Sequence, residues 1–154
     1  MSQPIPITPE LVGNAYAALA SGDPATIGQY WSQDLVWLVP GNHALAGTYR
    51  GLDAFLGFMR KTALLSNNSF RMDPITVLTN DEYSADVTHN LGFRAKTPGD
   101  AASPYSKLDI DVIHLLRWRD GKVVEGRGAI FGDGASRFNQ FWSQVAADGT
   151  RTDQ

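Results

Sequence analysis

The chain has 154 residues, a formal net charge of −3, 43% hydrophobic residues, 19% charged residues and no cysteine. That length suits one domain, read here as 1–154 with a core at about 8–147. The absence of cysteine excludes disulfides, thiolate nucleophiles and thiolate metal ligands. No basic stripe suggests a nucleic-acid surface, and no run of eighteen apolar residues suggests a membrane span. The polar, proline-rich start, Met1 to Pro9, lacks the charged-then-apolar pattern of a signal peptide, so a cytoplasmic setting is expected.

Thr8, Pro9 and Glu10 read as a helix start: a capping hydroxyl, a first-turn proline and an acid at the positive end of the helix dipole. Val12, Ala15, Tyr16 and Leu19 then form an apolar stripe, which Gly22 ends. Asp23-Pro24 repeats the cap-and-proline signal for a short helix to about Tyr30. A short strand is predicted over Asp34–Val39, followed by a loop, GNHALAGTYRG, with an exposed His43. Leu52, Phe55, Leu56, Met59 and Ala63 then fall on one face of a helix over Leu52–Leu65.

Beyond Asn67-Asn68 the period changes to two. Strands are predicted over Phe70–Leu78, Glu82–Arg94, Lys107–Arg119 and Val123–Phe131. A loop spans Thr97–Pro104, and Asp120-Gly121 is a hairpin turn signal. A closing helix is expected over Ala135–Ala147, with Phe138, Phe141, Trp142 and Val145 on its apolar side. Helices first and antiparallel strands after make an α+β protein whose sheet has one dry face. Alternation assigns Tyr83, Ala85, Val87, His89, Leu91 and Phe93 to the apolar face of one strand. It assigns Val112, His114, Leu116 and Trp118 to that of the next. On the opposite face, Ile113 and Leu115 lie among Asp109, Asp111 and Arg117, an outer surface apolar enough for a sheet-to-sheet homodimer.

The segment VPGNHALAGTYRG before an amphipathic helix, with LLRWRDGKVVEGRG, an aspartate and an FW pair after it, resembles the SnoaL-like branch of the nuclear-transport-factor-2-like superfamily. The resemblance covers about Leu11 to Val145. It implies a cone of curved sheet closed by helices around an apolar pocket, with Val124, Gly126, Gly128 and Ile130 of the last strand facing in. The inward glycines either leave room for a cavity or mark bends in the sheet. The fold hosts isomerases, cyclases, hydro-lyases and non-catalytic binders, so the chemistry must come from the site.

Ketosteroid isomerases in this superfamily use an aspartate base with a tyrosine and a protonated aspartate as donors. The resemblance puts Val39 at the base and His114 at the protonated aspartate. Tyr16 falls one residue out of register from the tyrosine, a turn of about 100° on a helix. SnoaL-like cyclases pair a histidine with an aspartate on the last strand; here these positions are His114 and Gly128. Both family bases are therefore absent. His114 and His89 are the remaining candidates for proton transfer, and Asp133 either approaches the rim or caps the closing helix. Tyr16, Trp37, Tyr49, Phe55, Met59, Val112, Gly128 and Ile130 are the candidate ligand contacts, with ordinary core as the competing reading. Scattered histidines without close spacing argue against a metal site, and no lysine follows the glycines as a phosphate loop requires. The expectation is a cofactor-independent isomerase, cyclase or hydro-lyase acting on a small apolar carbonyl or polyketide-like compound. The alternative is a binding protein for an apolar small molecule.

Overall fold

A computed structural model describes residues 3–94 and 106–143, with the side chain of Asp133 outside that description. Helix α1 (Pro9–Ser21) is capped by the Thr8 hydroxyl, which accepts from the Leu11 N–H, and ends at Gly22 in the left-handed region, φ 69°. Asp23 caps the four-residue α2 (Pro24–Ile27) in the same way through Thr26. Strands β1 (Trp31–Val39) and β2 (Gly47–Arg50) follow, then α3 (Leu52–Leu65). Strands β3 (Arg71–Thr79), β4 (Tyr83–Phe93), β5 (Lys107–Arg119) and β6 (Lys122–Ile130) complete the sheet. A 3-10 turn at Gly132–Gly134 leads into α4 (Ala135–Trp142).

The six strands lie in the order β2-β1-β6-β5-β4-β3 as one open, curved sheet. Every pairing is antiparallel except β1 with β6, which run parallel. The Asp120-Gly121 turn has positive φ at both residues, 53° and 77°, as the right-handed twist of a two-residue hairpin requires. Helices α1 and α3 cover one end of the inner face, where Trp31, Leu35, Phe55, Leu116 and Val123 form the larger core cluster. Helix α4 covers the other end, where Leu108, Ile110, Phe138 and Phe141 form a second.

Three expectations change here. β1 begins at Trp31, three residues early, because its register shifts between Trp31 and Val36 and lets Trp31 pair with Val123. The GNHALAGTYRG segment holds the edge strand β2, paired antiparallel to β1. On β6, a bulge between the Trp118 and Arg117 pairings turns Val123 inward instead of Val124. The predicted loop at 97–104 and the helix beyond 143 lie outside the described residues.

Candidate functional site

The largest correction concerns β4. Apart from Gly92, its buried residues are the polar set, Ser84, Asp86, Thr88 and Asn90, while Tyr83, Ala85, Val87, His89 and Leu91 are half-buried on the outer face. The β4–β5 register dictates this. Asp86 sits opposite His114, and directly opposite residues share a face, so His89 opposes Asp111 on the other side. Each inner polar group has a partner that offsets its burial. The Trp118 indole N–H donates to Ser84 Oγ at 2.8 Å, and the Thr88 hydroxyl donates to Asn90 Oδ1 at 2.7 Å.

Asp86 is 2% exposed and holds two groups at once. The Tyr16 hydroxyl donates to Oδ1 at 2.7 Å, and His114 Nδ1 lies 3.1 Å from Oδ2. A carboxylate only accepts, so Nδ1 carries the proton and a neutral His114 presents Nε2 as a lone pair. Burial first, then the charge of Asp86 and the hydrogen bond to it, push the Tyr16 hydroxyl well above its ordinary pKa, so it remains a donor. Helix α1 supplies Tyr16, β4 supplies Asp86 and β5 supplies His114, a constellation drawn from three separate elements.

This constellation borders a cavity of about 130 Å³ in the seam between the two core clusters. Tyr16, Trp37, Phe55, Met59, Val112, His114 and Gly128 line it, as do Phe58, Phe70, Met72, Asn90, Phe138 and Trp142. Val39 is also in the wall, as an apolar residue. The two glycines of β6 differ. A Cβ at Gly126 would overlap the Trp37 ring, so that glycine admits a side chain. A Cβ at Gly128 would meet Pro40 at 3.4 Å and His114 at 3.7 Å, so that glycine widens the space beside the imidazole.

Four other candidates fall elsewhere. His89 is on the outer face with its side chain 39% exposed; Nε2 lies 2.8 Å from Asp109 and Nδ1 2.7 Å from Asp111. Its pKa is raised, chiefly by the Asp111 hydrogen bond, against some desolvation and with help from Asp109. Tyr49 is outside the lining and donates its hydroxyl to the Leu45 carbonyl at 2.7 Å. Ile130 packs against the second core cluster instead of the cavity. Asp133 occupies the middle of the 3-10 turn, and its side chain lies outside the described residues.

His43 is buried, not exposed. The Leu45 N–H donates to its Nδ1 at 3.1 Å, so Nε2 is the protonated nitrogen that donates to the Pro40 carbonyl at 2.9 Å. It closes the cavity edge-on to Phe138. Asp86 and Asn90 are not among the sequence candidates, because alternation alone assigns the apolar residues of this strand to the inner face. The available signal was an aspartate two positions from a threonine on a strand otherwise rich in apolar residues.

The sequence pattern of the SnoaL-like domain family matches residues 12–126. The chain belongs to this family. An uncharacterised protein of Mycobacterium tuberculosis is 30% identical over 142 residues, covering 90% of each chain. Among solved structures, Bal32a from a soil-derived mobile gene cassette superposes with a TM-score of 0.73 at 22% identity, over 86% of this chain and 94% of that one. TerC, co-crystallised with polyporic acid, superposes with a TM-score of 0.62 at 17% identity, over 79% of this chain and 89% of that one. An NTF2-like protein from Burkholderia xenovorans superposes with a TM-score of 0.65 at 21% identity, over 84% of this chain and 93% of that one, so the shared fold is NTF2-like, a mixed α+β layout with a curved open sheet. Among the described residues, no helix is long and apolar enough to cross a membrane.

Proposed function

We propose that this SnoaL-like domain is a small-molecule enzyme of the isomerase, cyclase or hydro-lyase kind. Its substrate would be an apolar carbonyl compound held against His114. The observation that carries the reading is the Asp86–His114 contact of 3.1 Å at the edge of an apolar cavity. In this mechanism Nε2 takes a proton from the carbon beside the carbonyl, leaving an enolate and an imidazolium. Asp86 stabilises the imidazolium without taking its proton, and the Tyr16 hydroxyl keeps Asp86 in place. The imidazolium returns the proton to another carbon in an isomerisation; in a cyclisation the enolate carbon attacks a second carbonyl, whose oxygen becomes an alkoxide and takes the proton back from the imidazolium. The apolar wall excludes water and strengthens these interactions. No cofactor enters this scheme. TerC, which shares this fold, was co-crystallised with polyporic acid, in keeping with a cavity that takes a small molecule.

The test is deuterium exchange at the α-carbons of β-tetralone in D₂O near neutral pH, followed by proton NMR. The wild type should exceed the buffer rate, and His114→Ala should lose on the order of a hundredfold or more. Binding of the ketone without exchange would reject catalysis and favour the second reading, a binding protein for apolar small molecules. That reading draws on Val39 and Gly128, both in the cavity wall and both without the family's carboxylate. The setting that goes with either reading is a cytoplasmic homodimer joined through the outer sheet, where Leu38, Leu78 and Leu115 are exposed.

A further inference from the structure

Five hydroxyl, imidazole and amide side chains line the cavity: Tyr16, His43, Thr62, Asn90 and His114. Tyr16 spends its proton on Asp86, Thr62 donates to the Met59 carbonyl, and both nitrogens of His43 are engaged by backbone. Among these five, His114 Nε2 and the amide nitrogen of Asn90 remain for a ligand. Asn90 is 3% exposed and lines the cavity, so its amide is held inside the protein.

The orientation of that amide follows from Thr88. With the Thr88 hydroxyl donating to Asn90 Oδ1, the buried O–H and C=O satisfy each other and only the two N–H groups are left over. The flipped amide would leave the threonine proton, the carbonyl and one N–H all without partners, which is costlier in a buried site. The group facing the cavity is therefore a double donor, suited to an acceptor oxygen.

The separation of the two groups sets the ligand's length. Asp86 lies opposite His114 and Asn90 opposite Ile110, so the sites are four residues apart along the strands, roughly 13 Å. A ligand that reaches both groups is therefore elongated along the strand direction. The walls along that span are Val112, Met72, Phe70 and Trp142, without a charged group.

We propose that Asn90 is a specificity-determining residue. It holds an acceptor oxygen at the far end of an elongated apolar carbonyl compound whose acidic carbon lies at His114. This deepens the function proposed above and rests on the same cavity being the ligand site, while leaving the proton chemistry to His114.

The experiment compares two derivatives of β-tetralone substituted on the aromatic ring, para to the attachment of the benzylic α-carbon. One carries a methoxy group and the other an ethyl group of the same shape. Equilibrium dialysis gives affinity, and α-deuterium exchange is measured on the same samples. The wild type should bind the methoxy compound about 3- to 10-fold more tightly than the ethyl compound. Asn90→Leu should bring that ratio to about one and raise KM for the methoxy compound alone, leaving the saturated exchange rate within about twofold. Asn90→Asp should invert the ratio, because a carboxylate repels the ether oxygen. Should Asn90→Leu unfold because Thr88 loses its partner, Thr88→Val combined with Asn90→Leu removes both buried polar groups and restores the comparison. Equal wild-type affinities, a ratio unchanged by Asn90→Leu, or no binding of either ketone overturns the proposal. Absence of exchange with the affinity ratio intact overturns the enzyme reading and leaves this one standing.

Discussion

His114 and His89 sit on adjacent strands, each beside aspartate, on opposite faces of one sheet. On the outer face His89 gives both nitrogens to carboxylates, Asp109 and Asp111, and its side chain is 39% exposed. On the inner face His114 gives one nitrogen to Asp86, is 9% exposed, and keeps the other toward a cavity. The first arrangement is an ion pair with no coordination left for chemistry. The second fixes a tautomer and leaves a base. Proximity to a carboxylate does not distinguish them; the uncommitted nitrogen and the hollow beside it do.

The sharpest way to break this comparison is to remove the carboxylate on each side. Asp86→Asn should depress α-carbon exchange by on the order of a hundredfold or more, through loss of the tautomer and of imidazolium stabilisation. Asp111→Asn should leave the rate within about twofold. Equal losses would mean that the faces do not differ in function. Next in size is packing. Gly126→Ala drives a methyl group into the Trp37 ring and should cost about 1–3 kcal/mol in urea unfolding. Gly128→Ala meets only ordinary contacts and should be close to neutral. A Gly126→Ala protein as stable as wild type would show that the inner wall yields more easily than drawn.

On the outer face, Leu115→Glu should halve the sedimenting mass if that surface joins two copies; an unchanged mass would discard the dimer. The smallest effect concerns His89. Its folded pKa lies above the ordinary 6.5, so its pairing stabilises the fold fully below that value and fades as pH rises through the folded one. The melting-temperature gap between wild type and His89→Gln should therefore be larger at about pH 5.5 than at about pH 9. A gap independent of pH would remove the ion pair from the account of the outer face.

Local signals were legible in the chain: the Thr8 and Asp23 caps, the Gly22 stop, the Asp120-Gly121 turn and the limits of β5 all depend on neighbours a few residues away. The facing of β4 was not. Its inner residues are polar because Tyr16, His114 and Trp118 satisfy them, partners 28 to 70 residues distant. The β4–β5 register that sets the face is a long-range pairing, and a one-residue slip would have reversed it. The β6 bulge had the same effect on a smaller scale, exchanging Val124 for Val123. Hence alternation puts His114 on the inner face, where it lies, but puts Asp86 and Asn90 on the face assigned to solvent, and two of the expected wall residues, Tyr49 and Ile130, stand outside the cavity lining.

The parallel pairing of β1 with β6 has a consequence for biosynthesis. Trp37 and Gly126 are neighbours in the sheet but about ninety residues apart in the chain, a contact that pays a large loop-closure cost before it forms. On the ribosome, the N-terminal helices and β1 must wait for the final strand to emerge before Trp37 finds its slot over Gly126. Until then its indole has Phe55 and Trp31 as partners but lacks the strand that covers it, and a transcript cut short before that strand would yield a nascent chain unable to close its own interior.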